Sequence, residues 1–307
     1  MRIVELPEIE AVLDEDAALA AVEDGFRRMQ RGGVHLAEVS HLAFGDPPGD
    51  CHVKGGHITG DAVFVFKFAT SFYRNPELGL SSSNGFMIVV SAQTGEQLAM
   101  LRDQGYLTDV RTALAGAISA RAIVRPGSKV LGIVGTGIQA RMQARMIARL
   151  LGLTDVLIHG RSMDKAKALA AEIGGRAVAL PELCARADLV VTTTPSTVPW
   201  LRAEMVRPGT RIVAVGADTP GKQELETELT GRARVIVDSR VQCVDHGEAG
   251  WAVRAGLIAS DALIELGALL ERPIAFEPDE IVVADLTGVA VQDIAIAKTV
   301  WNRLAAA

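Results

Sequence analysis

Aromatic residues are scarce in this chain, at 4% against 49% hydrophobic residues in all. Its core must therefore be aliphatic, as in proteins of the α/β class. Cysteine is scarcer still. Cys51, Cys184 and Cys243 are odd in number, far apart and free of any CxxC pair, which argues against a disulfide framework and a zinc ribbon. The six histidines show no HxxxH spacing, so no metal site is expected. Positive charge is not in excess: 31 Lys and Arg face 37 Asp and Glu, a net charge of −6. That removes the reason to expect nucleic acid or an anionic membrane as partner. No apolar run reaches the roughly 18 residues of a membrane span. The opening MRIVELPEIE is too acidic, and its apolar run too short, for a signal peptide. A soluble cytoplasmic enzyme is the expectation.

What the chain does contain is a stretch around which the rest is organised, Lys129–Ala140, KVLGIVGTGIQA. A short apolar run leads into Gly135-Thr136-Gly137-Ile138-Gln139-Ala140, and a helical pattern follows. Gly135 permits a tight turn, Gly137 lets a pyrophosphate approach the backbone, and Ala140 keeps helix and strand close. The helix start offers free N–H groups and a positive dipole end. Strand, glycine turn and helix together predict a dinucleotide site.

The 307 residues suggest one large domain or two ordinary ones. Residues 2–4 read as a short strand and Asp16 to Arg31 as a helix, with Asp14 or Asp16 as its cap. FGDPPGD at 44–50 is a turn, and the pattern from Cys51 to Arg102 is β, with a loop over Tyr73–Ser83. A helix is predicted over Thr108 to Val124. From Lys129 onward six strand runs, KVLGIV, DVLIH, DLVVTT, RIVAV, RVIVD and EIVVA, alternate with helical stretches. Those stretches fall at 138–150, 163–173, 181–186, 222–230, 246–255 and 262–271, and a last helix covers roughly Val291 to Ala305. Such alternation implies a parallel sheet covered by helices. The expected fold is α/β: a Rossmann dinucleotide-binding domain over 118–289 and a β-rich substrate-binding and dimerisation domain over 1–117, completed by 290–307.

Several polar residues stand out against this frame. Lys67 interrupts VFVFKFA; it either faces water from an edge strand or sits in a cleft, where it holds a carboxylate or relays a proton. Arg111, in LTDVRTALAGA, is either a surface arginine paired with Asp109 or a fork for a carboxylate. Asp218, in RIVAVGADTPGKQEL, follows a strand end, where open α/β sheets bind their ligands. It caps a helix beginning at Lys222 or acts as acid and base beside the nicotinamide. Thr193, Thr194 and Pro195, in TTTPS, form a plain polar turn or lie under the cofactor. At the end of the second Rossmann strand, His159-Gly160-Arg161-Ser162 has no acid to bind a ribose 2′-hydroxyl. Arg161 and Ser162 suit a 2′-phosphate instead, so the cofactor is NAD(P), with NADP(H) favoured over NAD(H).

These stretches, taken in order, resemble the ornithine cyclodeaminase/μ-crystallin family through almost the whole chain. The pieces are FKFA at 66–69, GLSSSNG at 79–85, LTDVRTALAGA at 107–117, IVGTGIQA at 133–140, VVTTTPS at 190–196, VAVGADTPGKQEL at 213–225 and DLTGVAVQDIAIAK at 285–298. The resemblance implies a homodimer with the β-rich half at its interface and substrate cleft. It also implies that the residues matching Lys67 and Arg111 meet a substrate carboxylate and that the one matching Asp218 is the catalytic acid/base. The GTGIQA turn, Lys222, Gly288 and Val289 would lie around the cofactor. Many members have GLP where this chain has GLS, so Ser81 departs from the pattern.

The family holds several chemistries: diamino-acid cyclodeaminases, reductases of imino acids and cyclic ketimines, and alanine dehydrogenases. The μ-crystallins lack the carboxylate that Asp218 retains here. In the family pattern, cyclodeaminases carry a carboxylate thirteen residues before the strand lysine, and alanine-dehydrogenase-like members a cation; this chain has Lys54 there. Lys54 is either a solvated strand lysine or a third cation of the cleft, which would disfavour a distal ammonium on the substrate. The expected activity is interconversion of a small 2-imino acid and its 2-amino acid. A cyclodeaminase is the alternative, and a non-catalytic NADP-binding protein a further one.

Overall fold

Strand-period and helix-period stretches sort into two units in the computed structural model, which describes residues 1–72 and 74–306. One unit is Met1–Arg111 with Val289–Ala307, the other Thr112–Gly288. The ends of two expected segments, at Tyr73 and Ala307, lie outside the described residues.

The first unit begins with β1 (Arg2–Glu5), α1 (Leu6–Val12), α2 (Glu15–Gln30), β2 (Val34–Leu36) and β3 (Ser40–Phe44). It continues with β4 (Gly49–Ile58), β5 (Val63–Phe72), β6 (Ser83–Ser91), β7 (Gln97–Arg102) and the opening turns of α3 (Tyr106–Ile123). The strands form one sheet in the order β1-β7-β6-β5-β4-β2, with β3 also paired to β4. All pairs are antiparallel except β1 with β7. Asp14 starts α2, its Oδ1 accepting from the backbone N–H of Asp16 at 3.1 Å and Ala17 at 3.0 Å. The helix then buries Ala18, Val22, Gly25 and Phe26, the spacing of one helical face. The sequence reading missed α1, β2 and β3. Each is short, and β3 is exposed along its length, so it carries no alternation to read.

The second unit runs through β8 (Val130–Val134), α4 (Ile138–Leu151), β9 (Asp155–His159), α5 (Met163–Ile173), β10 (Arg176–Ala177), α6 (Leu180–Arg186), β11 (Leu189–Thr192) and β12 (Arg211–Ala214). It closes with α7 (Thr227–Arg232), β13 (Arg234–Val237), α8 (Arg240–His246), α9 (Glu248–Arg254), β14 (Ile264–Glu265), α10 (Leu266–Glu271) and β15 (Val282–Asp285). The sheet order is β10-β9-β8-β11-β12-β15-β13-β14 and every pairing is parallel. Chain order reverses beside β8, which lies between β9 and β11. This is a doubly wound α/β sheet, and its reversal point is where such sheets take ligands. Leu157, Leu183, Val190, Ile212, Leu225, Leu229 and Val283 are among the aliphatic side chains of its core. No helix of the described residues is long and apolar enough to cross a membrane.

Three helical stretches differ from expectation. No helix begins at Lys222; the chain stays irregular from Val215 and becomes helical only at Thr227. The 246–255 stretch is helical as α9 but starts only after Gly247, with α8 before it unanticipated, and the 262–271 stretch holds β14 before α10. The chain then returns to the first unit as α11 (Ala290–Ala306), which packs on α2 and on β4 and β5. Every residue from Ala290 to Ala297 is buried.

Candidate functional site

In the second unit a cavity of about 990 Å³ opens at the reversal point of the sheet. Its walls include Gly135, Thr136 and Gly137 after β8, Arg161 and Ser162 after β9, and Thr193, Thr194 and Pro195 after β11. Gly135 has φ +131°, and a Cβ on it would collide with Thr193 Oγ1, so only glycine fits. Thr193 binds back to the strand, its hydroxyl donating to the Val134 carbonyl at 3.0 Å. Gly137 is the N-cap of α4 without a side-chain cap, and a Cβ there would meet nothing within 4 Å. The first N–H groups of a 14-residue helix are thus left for an anion. This open glycine cradle fits a dinucleotide pyrophosphate.

At the β9 end of the cavity stand Arg161, Ser162 and Lys165, and none of its described walls carries a carboxylate. Ser162 also caps α5, its Oγ accepting from the Lys165 backbone N–H at 3.3 Å. Ile138 and Gln139, in the first turn of α4, are not among the cavity's wall residues. Gly288 donates its backbone N–H to Asp238 Oδ2 at 2.7 Å, and Val289 is buried.

Asp218 lies on the irregular segment after β12 and is no helix cap. Its Oδ1 accepts from Lys222 Nζ at 2.6 Å, and its side chain is 49% exposed. The segment is pinned from below by Glu224, a fully buried carboxylate that sequence reading passed over.

In the first unit β5 alternates strictly at its start, so Val63, Val65 and Lys67 are buried on one face. Lys67 is not on an edge strand, since β5 lies between β4 and β6, and its side chain is 4% exposed. Nor is Arg111 a surface residue; it is 6% exposed on α3. Both cations converge on Asp293 of α11, with Lys67 Nζ at 3.0 Å and Arg111 Nε at 2.9 Å from the same Oδ1. The Nε contact is ionic, outside hydrogen-bond geometry. Arg111 Nη1 donates to Gln292 Oε1 at 2.8 Å. Asp293 Oδ2 and Gln292 Nε2 are buried without a hydrogen-bond partner among the described residues.

Lys54 is the cross-strand neighbour of Lys67, so their side chains share a face of the sheet. Burial brings Lys67 down to about 8; Asp293 opposes that shift, and Arg111 and Lys54 reinforce it. Burial works against the charge of Asp293 too, but Arg111 and then Lys67 hold its carboxyl below the ordinary value. Asp103 sits where β7 hands over to α3, and its Oδ2 accepts from the Leu107 backbone N–H at 2.8 Å. Burial pushes its carboxyl up to about 6. Asp293, Gln292 and Asp103 were all missed in the sequence.

Comparison with known proteins agrees with this architecture. The model of the "Ornithine cyclodeaminase/mu-crystallin family" matches residues 2–307. The alanine dehydrogenase of Archaeoglobus fulgidus is 34% identical over 302 residues, covering 96% of this chain and 92% of that protein. Among solved structures, an archaeal alanine dehydrogenase dimer with bound NAD superposes with a TM-score of 0.93 at 32% identity, over 100% of this chain and 96% of the other. The iminosuccinate reductase of Paracoccus denitrificans, in complex with NAD+, gives a TM-score of 0.91 at 33% identity, over 100% and 97%.

Proposed function

The chain belongs to the ornithine cyclodeaminase/mu-crystallin family, and from that premise we propose that it is an NAD(P)-dependent oxidoreductase interconverting a small 2-imino acid and its 2-amino acid. The observation that carries this is the cationic cluster of the first unit. Lys67 and Arg111 meet Asp293, and Lys54 is the cross-strand neighbour of Lys67. Positive charge of this density suits a carboxylate-bearing substrate.

Arg111 uses Nη1 on Gln292 and sets Nε against Asp293, which fixes the guanidinium plane and leaves further N–H donors for a substrate carboxylate. Lys67 spends one contact on Asp293 and keeps two donors. A reduced nicotinamide, when bound, supplies hydride to the imine carbon. Asp218, exposed and tethered by Lys222, serves the nitrogen proton directly or through water. The glycine turn, Thr193 and Thr194 hold the dinucleotide, with Lys222, Gly288 and Val289 nearby. We take the assembly to be a homodimer through the β-rich unit, on the analogy of the archaeal dimer; light scattering tests it.

The deciding assay follows oxidation of NADH and NADPH with a panel of 2-oxo acids plus ammonia or methylamine, and with cyclic imines, beside ornithine with catalytic NAD. Turnover of an imine supports the reading. Efficient ammonia release from ornithine in place of it would make the chain a cyclodeaminase. NADPH binding without turnover of any substrate would leave the non-catalytic alternative.

Cofactor choice is testable on its own. Arg161 and Lys165 on the wall, with no carboxylate to meet a 2′-hydroxyl, favour NADP(H). Arg161→Ala is expected to weaken NADPH by about 1.5–3 kcal/mol, a charge-assisted contact, and to leave NADH nearly unchanged. Equal losses in titrations of the two cofactors would remove the preference.

Substrate charge is the next expected outcome. Because Lys54 shares the face of Lys67, a distal ammonium near it would be repelled. At about 4 Å and an effective dielectric near 20, like charges cost about 4 kcal/mol. Imines of small neutral or dicarboxylic 2-oxo acids escape that cost. Lys54→Glu should therefore raise kcat/KM for diamino acids and lower it for dicarboxylic substrates. Unchanged ratios would take Lys54 out of the site.

A further inference from the structure

Glu224 stands between two strand ends, 0% exposed. Its Oε1 accepts from the backbone N–H and the hydroxyl of Thr194, both at 2.6 Å. Its Oε2 accepts from the Thr192 hydroxyl at 2.6 Å and the Gly216 backbone N–H at 2.9 Å. Thr194 is on the cavity wall, and Gly216 stands two residues before Asp218. Trp200, also on the wall, donates its indole N–H to Thr194 Oγ1 at 3.1 Å, which commits the threonine proton to Glu224. The approach is close: a Cβ on Gly216 would collide with the Thr194 carbonyl and with Glu224 Oε2. Glu224 is itself held, its backbone N–H donating to Glu248 Oε1 at 2.6 Å.

We infer that Glu224 is a positioning residue of the dinucleotide site, its carboxylate tying the Thr193–Ser196 turn to the segment that carries Asp218. The inference rests on the dinucleotide reading above. Two oxygens with two lone pairs each match four donors, and only an ionised carboxylate is acceptor throughout. Glutamine would turn an NH₂ toward one donor pair, and aspartate is a methylene short. A carboxylate serving only as filler would be a poor choice, since burying its charge is costly unless hydrogen bonds repay it.

The state of this carboxylate is pH-sensitive. Burial pushes it up to about 7, against the hydrogen bonds from Thr192, Thr194 and Gly216. The titratable groups facing it from its neighbours are Glu248 of α9 and, behind that, Asp285 of β15. Burial and then Asp285 push Glu248 up to about 9; burial raises Asp285 to about 7. Below about 7 a proton on Glu224 replaces an acceptor and orphans one of the four donors.

The test is hydrogen exchange by mass spectrometry on the whole chain, with NADH and NADPH titrations alongside. Glu224→Gln should speed exchange in peptides over 192–196 and 214–218 by about tenfold or more, the loss of one charge-assisted bond, with β8 and α4 unchanged. It should weaken whichever dinucleotide binds by a similar factor and lose the pH dependence of that affinity. Should the variant not fold, the wild type decides alone: exchange in those peptides, corrected for its intrinsic pH dependence, should accelerate from pH 8 to pH 6 while other peptides hold. A folded variant with unaltered exchange, or wild-type protection flat across that range, overturns the inference. Wild type that binds neither NADH nor NADPH defeats the dinucleotide reading, and exchange still decides the role of Glu224.

Discussion

Asp218→Asn is expected to lower turnover by about 10²–10⁴-fold, the usual worth of a general acid or base, with dinucleotide affinity and folding stability nearly unchanged. The side chain is half exposed, starts no helix, and touches Lys222 at 2.6 Å. Asparagine keeps that shape and can still accept from the lysine, but it cannot carry the proton. An exposed ion pair of this kind is worth roughly 0–1 kcal/mol, so little stability is at stake. Single-turnover kinetics together with a denaturation curve separate the two roles. Turnover near wild type would reduce Asp218 to the counter-ion of Lys222.

A comparably large effect, on stability this time, is expected from Asp293→Asn. One carboxylate oxygen compensates two buried cations. Breaking a buried pair from one side costs about 3–5 kcal/mol, because the remaining charge stays buried and unpaired. Lys67 should also lose the contact that supports its charge, so its pKa should fall further below about 8. Urea unfolding at pH 7 should show the loss as a lower midpoint with the slope kept. Adding Lys67→Met to Asp293→Asn should recover part of it, since that removes one stranded cation. A single variant as stable as wild type would mean that Lys67 sheds its proton at little cost, and that the cluster is not held by Asp293.

The parts of this architecture legible in sequence were those written in short-range pattern. The strand, glycine turn and helix over 129–140 were readable because each demands particular residue types at adjacent positions. Lys67 was readable as an anomaly because it is the one cation in the apolar run VFVFKFA. Its partner was not. Asp293 is 226 residues away on an apolar helix, where a single acid reads as a surface residue. Periodicity tells which face of an element is buried, not which other element covers it. The failed helix over 222–230 has a different cause. Lys222, Gln223 and Glu224 are good helix formers, but the Glu224 carboxylate is taken by loop donors, and Gly221 turns the chain at φ +86°.

The interleaving of the two units has a consequence for how the protein is made. The second unit is one unbroken stretch, whereas the first is closed by a segment translated after it. When the sheet of the first unit has left the ribosome, the helix that will cover β4 and β5 has not been synthesised. Throughout that interval Lys67 and Arg111 have no Asp293 to meet. The same delay leaves the surface that α11 covers open. Arrival of α11 supplies the missing carboxylate and the missing cover in one docking event, so charge compensation and burial are completed together.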